Sequence, residues 1–85
     1  MNKLDNYRVK INAIDKKIVS DLIKRFEIVN KISLYKKINN IPITNTGREQ
    51  IVLEYVKSFA SNNLKPEMIE AIFKEIIKQS KISQK

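Results

Sequence analysis

Apolar residues recur along the first part of the chain at Leu4, Tyr7, Ile11, Ile14, Ile18, Leu22, Val29, Ile32 and Tyr35. Steps of three, four and seven put them on one face of a helix, close to a heptad pattern. This spacing predicts a helix from about Leu4 to Ile38. It has to end at Asn39-Asn40-Ile41-Pro42, because Asn tolerates helix ends and the residue before Pro is pushed out of the α region. Glycine and proline occur only as Pro42, Gly47 and Pro66, so they cut the chain into three segments. The second opens at Thr46-Gly47-Arg48-Glu49, a Thr-x-x-Glu capping box, and runs through Ile51, Val52, Tyr55, Val56 and Phe59 to Asn62-Asn63. Leu64-Lys65-Pro66-Glu67 opens the third, with Pro in the first turn and Glu67 favourable to the helix dipole. Its stripe of Ile69, Ile72, Phe73, Ile76 and Ile77 is carried on by Ser80 and Gln84. The expected fold is all-α, one long helix and two shorter ones in a single domain spanning 1–85.

Helix length bears on assembly. A first helix of about 33 residues is near 50 Å long, whereas a compact domain of this size has a radius of gyration of about 12 Å. Two shorter helices from the same chain cannot cover such a stripe. An intertwined antiparallel homodimer sharing the long helices is the simplest closed solution.

Composition narrows the chemistry. The 85 residues include no cysteine and no histidine, which removes disulfides, the usual zinc sites, thiol nucleophiles and the commonest general base. No cofactor and no metal are expected. The opening MNKLDNYRVK has no signal-peptide core, and no apolar run reaches membrane length, so a cytoplasmic protein with no membrane partner is expected. A formal charge of +8 points to an anionic partner. The basic residues are scattered between apolar ones with no block longer than a pair such as Lys16-Lys17 or Lys36-Lys37, the pattern of a solvated face.

Some polar residues stand on the apolar rows themselves. Counting heptads from Leu4 gives Ile11, Ile18, Arg25 and Ile32, so an arginine takes a position otherwise held by aliphatics. Arg25, Val29, Ile32 and Lys36 form an i, i+4, i+7, i+11 row, which brings Arg25 and Lys36 within roughly 20° of one another around the helix. Either both snorkel to the surface or two cations serve one interior site. Arg8 lies about 42 Å of helix rise from Lys36 and cannot reach a small ligand held there by its own chain. In an antiparallel dimer it could enter the neighbouring subunit's pocket; otherwise it is a surface arginine. Glu49 serves the capping box or a site beside Arg48. Ser80 and Gln84 face inward if the third helix stays ordered to its end.

As an ordered set, Arg8, Arg25, Lys36, Arg48-Glu49, Ser80 and Gln84 resemble the active-site series of the all-helical chorismate mutases. The stretch from Tyr7 to Asp15 is similar to that family's opening Arg-x-x-Ile-x-x-Leu/Ile-Asp, and Ile72-Phe73-x-x-Ile76-Ile77-x-x-Ser80 to its closing helix. The resemblance implies rearrangement of chorismate to prephenate in a homodimer. Arg25 and the neighbouring subunit's Arg8 would bind the two substrate carboxylates, supported by Arg48 and Ser80. Glu49 would hold the ring hydroxyl, while Lys36 and Gln84 donate hydrogen bonds to the ether oxygen. Asn45 departs from the family, whose members often carry aspartate there; the contact at that position is made by the backbone or by the side chain.

The inventory suits this chemistry on its own terms. A Claisen rearrangement breaks a C–O bond and forms a C–C bond in one step, without a nucleophile or proton transfer. Bidentate arginines suit planar carboxylates, and a lysine suits a single oxygen. The nearest alternative is isochorismate-pyruvate lyase, which shares the fold; Arg48-Glu49 favours the mutase. A basic nucleic-acid binder would concentrate its cations on one recognition helix, so no nucleic-acid partner is expected. A purely structural helical dimer leaves Arg25 unexplained.

Overall fold

The computed structural model describes residues 2–43 and 45–84. They form three helices, α1 (Lys3–Ile38), α2 (Thr46–Lys57) and α3 (Pro66–Ser83), and no strand among the described residues. α1 starts where Asn2 accepts the Asp5 amide proton on its side-chain oxygen at 2.8 Å. It ends in a Schellman-type turn: the Ile41 amide donates to the Lys36 carbonyl at 2.8 Å and that of Asn40 to Lys37 at 3.4 Å. Asn40 takes the left-handed conformation this turn needs, with φ of 56°. Lys36 and Lys37 in the last turn complement the helix dipole.

Two boundaries differ from the sequence expectation. The N-cap of α2 is Asn45 rather than Thr46, and the capping box does not form: Asn45 Oδ1 accepts the Arg48 amide at 2.9 Å, while the Glu49 side chain turns to Lys81. Asn is as good a cap as Thr and stands one residue earlier, so Thr46 is free to join the helix. α2 also stops at Lys57, short of Asn62-Asn63. There the Ser58 hydroxyl donates to the Tyr55 carbonyl, and Phe59 and Ala60 make three-residue turns in place of helical bonds. Ser61 and Leu64 then exchange backbone bonds of 2.9 and 3.3 Å, a tight reversal into α3 at Pro66.

α3 is the common element, packing against both α1 and α2, which face each other across a cleft. Among the described residues the buried apolar ones are few, Leu53 and Ile69, and no large side chain is fully enclosed. The radius of gyration is 16.3 Å and the longest extent 57 Å. The accessible surface is 7077 Å², against about 5,200 Å² for a compact protein of 10.0 kDa. Exposed large apolar residues occur on all three helices; in the first half of α1, Leu4, Tyr7, Ile11, Ile14 and Ile18 are all more than half exposed.

Candidate active site

The second half of α1, the start of α2 and the end of α3 enclose a cleft of about 180 Å³. It is lined by seven of the eight residues singled out in the sequence: Arg25, Lys36, Asn45, Arg48, Glu49, Ser80 and Gln84. Arg8, near the start of α1, is exposed and outside it.

Arg25 does not snorkel. Its Nη1 donates to Ser80 Oγ at 3.1 Å, and Ser80, itself buried, donates onward to the Ile76 carbonyl at 2.8 Å. The hydroxyl proton is thereby committed to α3, leaving Ser80 as an acceptor that aims the guanidinium. Burial, and then repulsion from Arg48, hold the Arg25 pKa below its ordinary value. Among the described residues no carboxylate forms an ion pair with Arg25, Lys36 or Arg48. Two guanidinium groups that repel each other without an internal counter-ion make a site for an anion.

Lys36 is half-buried and donates to the Ile43 carbonyl at 3.2 Å. The turn after α1 folds back on Lys36 twice, through its carbonyl and through its ammonium, and an ammonium has two further protons to offer. Asn45 reaches the cleft as the cap that starts α2, and this cap sets the first turn from which Arg48 and Glu49 project. Gln84 is the C-cap of α3, half-buried, and its backbone N–H donates to the Lys81 carbonyl at 3.2 Å.

The apolar wall comes from Val29, Ile32, Ile43, Val52 and Ile77. Sequence reasoning overlooked Lys81, which lines the cleft and forms an ion pair with Glu49. It lies four residues beyond Ile77 on the inward row of α3, and that spacing was the available signal.

Residues 7–85 match the family model described as chorismate mutase type II. The chain belongs to the chorismate mutase type II family. It is 41% identical over 85 residues to the bifunctional chorismate mutase/prephenate dehydratase of Buchnera aphidicola subsp. Schizaphis graminum (strain Sg), a match covering 99% of this chain and 22% of that protein. The chain thus spans about a fifth of the length of this curated relative. Among solved structures, chorismate mutase from Helicobacter pylori in complex with prephenate superposes with a TM-score of 0.86 at 33% identity, covering 95% of this chain and 88% of that one. Form II of the Thermus thermophilus chorismate mutase gives a TM-score of 0.94 over 98% and 94% of the two chains; at 23% identity it supports the type II fold alone.

Proposed function

We propose that this chain rearranges chorismate to prephenate in the cleft between its three helices. The observation that carries the reading is the pair of arginines, Arg25 and Arg48, facing a small cavity without an internal counter-ion, in a chain of the type II family. Chorismate brings two carboxylates, a ring hydroxyl and an ether oxygen. Arg25, held by Ser80, takes one carboxylate with support from Arg48. Glu49 accepts from the ring hydroxyl, and Asn45 fixes the helix start that presents both. Lys36 and Gln84 donate to the ether oxygen, where negative charge grows as the C–O bond breaks. Holding the enolpyruvyl arm over the ring removes most of the conformational freedom the reaction would otherwise have to lose. No residue has to give or take a proton.

For the second carboxylate, the resemblance to the family implies a cation from the neighbouring subunit. We assign it to Arg8 of a second copy, in an antiparallel homodimer in which the beginning of one α1 lies near the later part of its partner. The exposed row from Leu4 to Ile18 and the excess of accessible surface support this assembly. A cytoplasmic enzyme without cofactor or metal completes the reading; no helix among the described residues is long and apolar enough to cross a membrane.

The test is to add the purified chain to chorismate and identify the product. Prephenate formation supports the mutase, and release of pyruvate from isochorismate would transfer the chain to the lyase class. No turnover of either at micromolar enzyme would sink the proposal.

A further inference from the structure

Lys81 is outside the set of residues through which the chain resembles its family, yet it forms part of the cleft wall. Its ammonium pairs with Glu49 Oε1 and ties α3 to the first turn of α2. The two partners differ in burial, the Glu49 side chain being 23% exposed and that of Lys81 44%. A second cavity, lined by Thr46, Gln50, Leu53, Lys74 and Lys78, shares only Glu49, Ile77 and Lys81 with the first. The ion pair and Ile77 are therefore the partition between the two spaces.

Four cations, Arg25, Lys36, Arg48 and Lys81, line the cleft with one carboxylate, Glu49. Glu49 on a flexible side chain has competing partners there. Arg25 and Arg48 repel each other, and either would be stabilised by a carboxylate closing on it. Such an internal pair would neutralise a cation needed by the incoming anion and would use up the acceptor for the hydroxyl. Holding Oε1 on the α3 side keeps the carboxylate away from the arginines and leaves Oε2 to accept from a ligand.

We propose that Lys81 is a positioning residue of this active site: it acts through Glu49, keeping that carboxylate off Arg25 and Arg48 and turned toward the substrate hydroxyl. The inference rests on the reading of the cleft as a chorismate site. Lys81 itself touches no reacting atom.

The test is a double-mutant cycle in the full chain, with wild type, Lys81→Met, Glu49→Gln, the double variant and Lys81→Arg. Wild-type turnover is measured first; its absence overturns the functional reading, whatever Lys81 does. With wild type active, Lys81→Met should lower kcat/KM by about 10- to 50-fold, mainly through KM, and Lys81→Arg should recover to within about 3-fold of wild type. The melting temperature of Lys81→Met should change by no more than about 4 °C, since the pair is partly solvated. In the Glu49→Gln background, Lys81→Met should change kcat/KM less than about 2-fold, because there is no longer a carboxylate to position. Wild-type kinetics in Lys81→Met would overturn the proposal. So would losses that multiply in the double variant, since Lys81 would then act independently of Glu49. If Lys81→Met does not fold, Lys81→Gln takes its place in the same cycle and is read against the same outcomes.

Discussion

The two halves of α1 share one helix and one apolar periodicity, and they differ in what covers them. From Leu22 onward α3 lies against the helix, and Leu22, Arg25, Phe26, Val29, Ser33 and Lys36 are half-buried or buried. Before Leu22 every described residue except Asp5 is exposed, Ile11, Ile14 and Ile18 among them. An apolar face left in water over five turns forgoes a large stabilisation, at about 25 cal/mol for each Å² that stays wet. The covered half lines the cleft with polar residues placed on the apolar face; the bare half carries one cation of the same series, Arg8, which lies outside that cleft. The difference teaches that the row is continuous because two neighbours of different origin use it, α3 at one end and, in the proposed dimer, a second chain at the other.

The most damaging test of that contrast is charge in the bare half. Ile11→Glu with Ile18→Glu should abolish dimer formation in sedimentation experiments and reduce turnover by about 1000-fold or more, as each site loses both its cover and the crossing Arg8. The same pair of glutamates would do little if that half were simply a solvated face. A monomer that retains full activity would end the dimer reading.

Subunit mixing sharpens the contrast further. Arg25→Ala and Arg8→Ala should each cost about 100- to 1000-fold in kcat/KM, one cation lying in the covered half and the other in the bare half. If sites are shared, a hybrid dimer of the two variants rebuilds one complete site and leaves the other without either arginine. Equal mixing, with half of the dimers hybrid, should therefore restore roughly a quarter of wild-type activity. No recovery after demonstrated subunit exchange would mean that Arg8 does not cross.

The same contrast marks what could be read from the sequence. The three helices follow from apolar spacing and from three breakers, and Arg25 and Lys36 stood out because they interrupt an apolar row. The errors came where two local solutions compete. Thr46 and Asn45 are both capable caps, and only the backbone geometry selects Asn45. Apolar spacing through Phe59 extends the second helix, but Ser58 and Ser61 offer the backbone other partners and end it at Lys57. The Arg25–Ser80 bond joins residues 55 apart, and such pairing needs a fold before it can be seen. Lys81 had the correct spacing but the composition of a surface lysine, and its partner, Glu49, is on another helix.

A chemical change in the covered half should have a smaller, pH-dependent effect. Gln84 can donate to the ether oxygen at any pH, whereas glutamate there donates only when protonated. Gln84→Glu should be about 100-fold less active than wild type near neutral pH and should recover as the pH falls toward the carboxyl range. Because Gln84 is the ordered C-cap of α3, the substitution should leave the assembly unchanged. Full activity at neutral pH would remove Gln84 from the reaction.

The smallest effect concerns how α2 is held to α3. Lys57 reaches Glu70 at 3.1 Å and Glu54 at 3.2 Å, and Lys74 stands 3.9 Å from Glu70. Hydrogen bonding from Lys57, then its charge and that of Lys74, hold the Glu70 carboxyl below the usual range. Hydrogen bonds to Glu70 and Glu54 hold Lys57 above its usual range. A depressed carboxyl contributes stability above its unfolded pKa of about 4.3 and loses it as the pH falls through the lower folded value. The raised lysine contributes below about 10.4 and loses its share as the pH rises through the higher folded value. Glu70→Gln should therefore lower the melting temperature by no more than about 3 °C at pH 7, with the difference shrinking as the pH falls through the carboxyl range. High salt should shrink it as well, since these groups are solvated. A difference that persisted unchanged into acid would mean that Glu70 holds α2 and α3 together by packing rather than by charge.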